Sequence, residues 1–168
     1  QYMRGGSITI EGNTGAWTGN SMKNGFIEIT GNTGDFLGAG LPGDPHGMSN
    51  GLVFVHGNAG DRAGDRMRRG MIIIIGNAGD YCGSRMAAGT VIVLGKAGKY
   101  SGFGMKRGTL ILAKQPHHVS ATFKSCGNLK MQFLRLLFRQ LSEIGNQFSM
   151  FKKYGPEVHR FSGDLASN

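Results

Sequence analysis

Aliphatic and glycine positions recur along this chain with a fixed period. Between Gly51 and Gly108 one pattern runs three times without a gap: GLVFVHGNAGDRAGDRMRRG, GMIIIIGNAGDYCGSRMAAG and GTVIVLGKAGKYSGFGMKRG. Gly51, Gly70, Gly89 and Gly108 stand 19 residues apart, and the inner glycines (Gly57/Gly60/Gly64, Gly76/Gly79/Gly83, Gly95/Gly98/Gly102) keep the same offsets. Gly6 to Gly25 is an earlier copy, and Gly25 to Gly51 is another, lengthened by seven residues between Gly38 and Met48. A sixth unit opens with TLILA after Gly108, and the pattern stops at Pro116. A period in this range is the signature of a solenoid. Met3 precedes Gly6 as Met22 precedes Gly25, so the chain is expected to start inside a repeat, with a further turn upstream, and to be cut at its other end too.

The type of solenoid follows from the alternation inside each unit. Ile8/Ile10, Ile27/Ile29, Val53/Val55, Ile72/Ile74, Val91/Val93 and Leu110/Leu112 occupy the same alternate places. Period two with β-branched residues means strands, and three interior glycines per unit exclude helical repeats. The fold class expected is all-β: a right-handed, single-stranded parallel β-helix of 19-residue coils over residues 1–115. Strands would stack about 4.8 Å apart with glycines at the corners. Asn13, Asn32, Asn58 and Asn77 share one offset, which suits a left-handed corner carrying a stacked amide ladder. Lys96 breaks that ladder in the last complete coil.

Outward strand positions change character along the stack. The first two coils show Ser7, Thr9, Glu11, Glu28 and Thr30, with Phe26 the exception. The later ones show Leu52, Phe54, Met71, Ile73, Ile75, Ile92, Leu94 and Ile111. An apolar face of that width requires a cover. Leu52, Phe54, Met71, Ile73, Ile92 and Leu94 therefore form a candidate apolar interface. Residues 116–168 form a C-terminal extension, with a helix expected over about 128–144, capped by Asn128 and stopped at Gly145. Leu129, Phe133, Leu137, Leu141 and Ile144 share one face of it, and at roughly 24 Å it is long enough to lie across four strands. The expectation is that this helix packs on the solenoid, with a neighbouring protein chain as the other possible cover.

Charge adds a second candidate surface. The 168 residues carry 19 Lys+Arg against 10 Asp+Glu, a net charge of +9. Residues 1–115 hold 12 basic and 7 acidic residues, and residues 116–168 hold 7 and 3, so the excess is spread. Such an excess favours an anionic partner. Lys23, Arg66, Arg68, Arg69, Arg85, Lys106 and Arg107 lie beside the methionine of each unit, where stacked coils would align them as an anion-binding or subunit-docking stripe, with Asp61 and Asp65 as partial neutralisers. No aromatic residues interleave with them, which argues against nucleic acid. Cys82 and Cys126 show no CxxC spacing, so neither a disulfide framework nor a zinc site is implied, and a reducing cytoplasm is the default. No apolar run has transmembrane length.

Candidate chemistry is sparse. GAGLPG (38–43) spells GxGxxG, but DPHG rather than a helix follows it and no βαβ unit surrounds it, so it is not a dinucleotide site. Met3, Met22, Met48, Met67, Met86 and Met105 read as a buried hydrophobic column rather than a thioether metal site. Asp35, Asp61 and Asp80 follow glycines as in calcium-binding β-rolls, but without their nine-residue period, and read as structural turns. The five histidines are scattered, and no acid–base–nucleophile set or elbow serine emerges. No catalytic, cofactor-binding or metal residue is assigned.

The unit G-x-[IVL]-x-[IVL]-x-G-N-x-G-x-x-x-G-x-x-M-x-x-G resembles the GXGXG β-helix family, which includes the C-terminal domain of the glutamate synthase large subunit and the β-helical subunit of formylmethanofuran dehydrogenases. GDRAGDRMRRG (60–70), GDYCGSRMAAGTVIV (79–93), GMKRGTLIL (104–112), FKSCGNLKMQFLRLLFRQL (123–141) and HRFSGDLA (159–166) resemble that formylmethanofuran dehydrogenase subunit, in the version found in bacterial formyltransferase/hydrolase complexes. The resemblance implies a non-catalytic scaffold subunit in tetrahydromethanopterin-linked one-carbon metabolism. It implies amidohydrolase-like and formyltransferase chains as partners, with a methanofuran analogue and tetrahydromethanopterin as cofactors of the complex and none in this chain. A β-helix domain of a glutamate synthase-type enzyme is the alternative. A free-standing β-helical acyltransferase fits less well, because its coil of 18 is built from six-residue steps and only His46 offers a loop histidine.

Overall fold

A computed structural model of the chain describes residues 1–116, 118, 123–130, 132–144 and 157–163. Six parallel strands form one sheet in chain order: β1 (Arg4–Ile10), β2 (Asn24–Ile29), β3 (Leu52–Val55), β4 (Met71–Ile74), β5 (Thr90–Val93) and β6 (Thr109–Leu112). Consecutive strands pairing in parallel, each a coil apart, is the parallel β-solenoid that the period demands. The register never slips from β2 to β6. Ile27, Val53, Ile72, Val91 and Leu110 form one column, and Ile29, Val55, Ile74, Val93 and Leu112 form the next. These inward columns, with the methionines, make up the core. Compact units are Gln1–Ala121, which holds this sheet, and Thr122–Asn168, which holds an antiparallel pair β7 (Phe123–Lys130) and β8 (Glu157–Gly163) and helix α1 (Gln132–Ile144).

Each methionine is placed by the glycine one coil above it. Met22, Met48, Met67 and Met86 are fully buried. A methyl group added to Gly51 would lie 2.7 Å from Met22 Cε, and one added to Gly70 would lie 2.9 Å from Met48 Cε. Gly51 also has φ +98°, so both backbone and packing exclude a side chain there. The recurring Met and the recurring opening Gly are one packing unit seen twice per period.

Side-chain ladders run beside the sheet. Asn13 Oδ1 accepts the N–H of Asn32 at 2.7 Å, Asn32 Oδ1 that of Asn58 at 2.8 Å, Asn58 Oδ1 that of Asn77 at 2.7 Å, and Asn77 Oδ1 that of Lys96 at 2.8 Å. A second ladder uses aspartates: Asp35 Oδ1 accepts from Asp61 N–H, Asp61 Oδ1 from Asp80 N–H and Asp80 Oδ1 from Lys99 N–H, all at 2.7–2.8 Å. Both end on lysines that give a backbone N–H and need no acceptor of their own. Lys96 therefore terminates the amide ladder rather than breaking it.

Two expectations need correction. None of the ladder asparagines has positive φ; left-handed corners stand instead at Trp17, Phe36, Arg62, Tyr81 and Tyr100, with φ between 56° and 66°, and at Ser21, Arg66 and Arg85, with φ between 47° and 55°. The amide side chain is selected here for its acceptor, which the next coil's N–H requires, and not for backbone permissiveness. In the second unit, Asn128 does not cap a helix: it lies in β7 opposite His159, and α1 begins at Gln132. Pairing with β8, distant in sequence, overrides the local capping signal. Gly145, the expected stop, lies outside the described residues.

Candidate docking surfaces

The basic stripe divides into engaged and unengaged cations. Asp65 is fully buried, and its carboxylate accepts Ser84 Oγ at 2.6 Å, Arg85 Nε at 2.9 Å and Arg66 Nε at 3.3 Å. Hydrogen bonding to this carboxylate raises the Arg85 pKa above the usual guanidinium value. Arg66 also donates to the Asp44 carbonyl at 2.8 Å. Arg66 and Arg85 thus neutralise a buried charge, as a carboxylate out of water requires. Lys23, Arg68, Arg69, Lys106 and Arg107 are exposed instead. They occupy one pair of places in the first, third and fifth coils, while Ser49–Asn50 and Ala87–Ala88 hold those places in the second and fourth. The result is a comb of cations with neutral gaps, repeating every two coils or about 10 Å. Asp61 takes no part, since its carboxylate serves the aspartate ladder.

The seven-residue insertion is fastened across this edge. Leu41-Pro42-Gly43-Asp44 makes a turn closed by Asp44 N–H on Leu41 O at 2.9 Å, with Gly43 at φ +93°. Asp44 Oδ2 accepts both Tyr2 OH and Ser21 Oγ at 2.9 Å. These bonds hold the Asp44 pKa below its ordinary value and push that of Tyr2 up. His46, after the turn, is exposed.

The apolar strand face is already out of water. Phe54, Ile73 and Ile92 are fully buried and Leu94 is 8% exposed, while Leu52 and Met71 are half-buried. These side chains lie outside the inner core cluster, so the middle strands carry buried side chains on both faces. At the margin of this face His56 Nε2 and Glu28 Oε1 stand 2.8 Å apart.

One surface went unread in the sequence. Trp17, Phe36, Arg62, Tyr81 and Tyr100 share a single repeat position and stack along the coil: Trp17 on Phe36 at 4.2 Å, Arg62 over Tyr81 at 4.6 Å and Tyr81 on Tyr100 at 5.0 Å. Counting offsets from each opening glycine would have revealed it. The alternation of Trp, Phe, Arg and Tyr hid a column united by stacking geometry rather than by residue type.

Nothing among the described residues assembles a reaction centre. No group of three His, Cys, Asp or Glu is placed to hold a metal. Cys82 is buried, and burial pushes its thiol up to about 12, so it is protonated at neutral pH. A cavity of about 330 Å³ opens beside Trp17, Met3, Ile8 and Asn20 at the first coil, and no ionisable side chain lines it. Among the described residues, no helix is long and apolar enough to cross a membrane.

The GXGXG motif model matches residues 2–136. The chain belongs to the GXGXG family. The GXGXG repeat accounts for the coil glycines, and the match extends into α1. A solved structure, the formyltransferase/hydrolase complex (FhcABCD) from Methylorubrum extorquens in complex with methylofuran, contains a chain 37% identical to this one. The alignment covers 99% of this GXGXG chain and 61% of that chain, with a TM-score of 0.88. No curated protein matches.

Proposed function

We propose that this chain is a structural subunit of a formyltransferase/hydrolase complex, a rigid stack that holds catalytic chains in register without doing chemistry itself. The observation that carries the reading is the match to a chain of FhcABCD at 37% identity across 99% of this sequence. The partners are amidohydrolase-like and formyltransferase chains in the cytoplasm, and the carriers served are a methanofuran analogue and tetrahydromethanopterin. The side chains support a docking role: the ionic groups brought together at Asp65 serve to close the coil, and the cations left unengaged face outward. Lys23, Arg68, Arg69, Lys106 and Arg107 attract an acidic neighbour or a polyanionic carrier such as a glutamylated methanofuran analogue.

Affinity purification of the full-length tagged protein from its native cells tests this directly. Amidohydrolase-like and formyltransferase chains should co-purify in fixed ratio, identified by mass spectrometry. A protein that elutes alone with turnover of its own would overturn the reading. For the cation comb, replacing Lys23, Arg68, Arg69, Lys106 and Arg107 by Gln should weaken turnover of the complex and flatten its dependence on salt. Unchanged turnover with an unchanged salt slope would remove the comb from the mechanism.

A further inference from the structure

Among the described residues, the backbone pairing of the solenoid ends on a step. β6 covers β5, and Ala113 N–H donates to Val93 O at 2.9 Å, after which no described residue makes a backbone hydrogen bond onto the upper side of the rest of the fifth coil, 95–107. In the coil below, Ala78, Tyr81 and Arg85 donate upward to Lys96, Lys99 and Phe103 carbonyls at 2.8–2.9 Å. Their counterparts on the step, Ala97, Tyr100 and Gly104, meet no acceptor among the described residues. The carbonyls of Ala78, Cys82 and Met86 receive N–H groups from Gly98, Gly102 and Lys106, whereas those of Ala97, Ser101 and Met105 receive none among the described residues. Among the described residues, the step is thus a backbone edge with its donors and acceptors still in solenoid register.

Two side-chain features mark what fits there. Tyr100 is the last ring of the aromatic column, and it and Phe103 are 48% and 50% exposed, among the most exposed large hydrophobic residues of the solenoid. The acceptor positions of both ladders carry Lys96 and Lys99, and both are exposed. A further coil of the ordinary kind would lose both ladder rungs here, so the lysines select against it and for carboxylates.

We infer that this step, residues 95–107, docks an extended acidic segment of a neighbouring subunit that continues the spiral. Its backbone carbonyls accept from Ala97, Tyr100 and Gly104, and its N–H groups donate to Ala97, Ser101 and Met105. A planar side chain stacks on Tyr100 as the next rung, and carboxylates meet Lys96 and Lys99. Strand addition of this sort draws affinity from the main chain and selectivity from the side chains. The inference rests on the docking role proposed above and names the place and the chemistry of one contact.

The test uses the intact complex purified from its native cells, with a photo-reactive benzoylphenylalanine replacing Phe103, and a second preparation with the same replacement at Tyr100. The expected result is a cross-link to an Asp- or Glu-bearing peptide of another subunit, its yield reduced about tenfold when Lys96→Glu and Lys99→Glu are added. Cross-links confined to this chain or to a second copy of it, a cross-linked peptide without acidic residues, or a yield indifferent to the lysine changes would each overturn the inference. If the complex co-purifies intact and neither probe cross-links, the step assignment alone falls. If the protein purifies alone, the docking role falls with it.

Discussion

At the scale of single residues, the ladders show how one side chain is asked for different things in different coils. Asn58 serves as the acceptor for the Asn77 N–H, while Lys96, at the equivalent place, only donates. Asn58→Ala should therefore cost about 1 kcal/mol, the net worth of a partly solvated hydrogen bond. Lys96→Ala should stay within about 0.5 kcal/mol. Denaturant midpoints of the two variants check this, and equal losses would show that the amide does not act through its acceptor. The same glycine in each coil is equally constrained: a methyl on Gly57 would sit 2.5 Å from Asn32 Oδ1 and 2.6 Å from Gly31 O. The recurrence of glycine is plain in the sequence. That it answers to a neighbour 26 residues earlier is a property of stacking alone.

At the scale of elements, the insertion is the departure from the repeat, and its clamp is sensitive to pH on both sides. Asp44 has a depressed pKa, so its contribution is present above the ordinary carboxylate value of 3.8 and is lost as pH falls through the lower folded value. Tyr2 has a raised pKa, so its contribution is present below the ordinary phenol value of 10.0 and is lost as pH rises through the higher folded value. Amide exchange at Asp44 and Gly47, corrected for intrinsic rates, should stay slow from about pH 5 to about pH 9 and quicken outside that window. Asp44→Asn should abolish the acid limb, and persistence of that limb in the variant would sink this account. No repeat-based reading reaches such a clamp, because residues 40–46 have no counterpart in other coils. The helix start was misread for a related reason: Asn128 carries a local capping signal, but its partner in β8 lies 31 residues away.

At the scale of the whole molecule, the solenoid is nearly one-dimensional, each coil resting on its neighbours. Its middle strands are buried on both faces at Phe54, Ile73 and Ile92, whereas Ile8 at one end is 45% exposed and Phe103 at the other 50%. Hydrogen exchange should accordingly be slowest in β3, β4 and β5 and faster in β1 and around 97–104. Uniform protection along the stack would contradict this nearest-neighbour picture. The sequence by itself determined the solenoid, its 19-residue coil, the inward columns and the buried methionines, because a stacked repeat turns each demand of packing into a recurring letter. Only the tertiary structure decided which cations are engaged by Asp65, which rings stack, and where the spiral leaves backbone groups without a partner among the described residues. Those outcomes depend on which side chains meet across coils and on where the chain departs from its own path, and neither is written in the period.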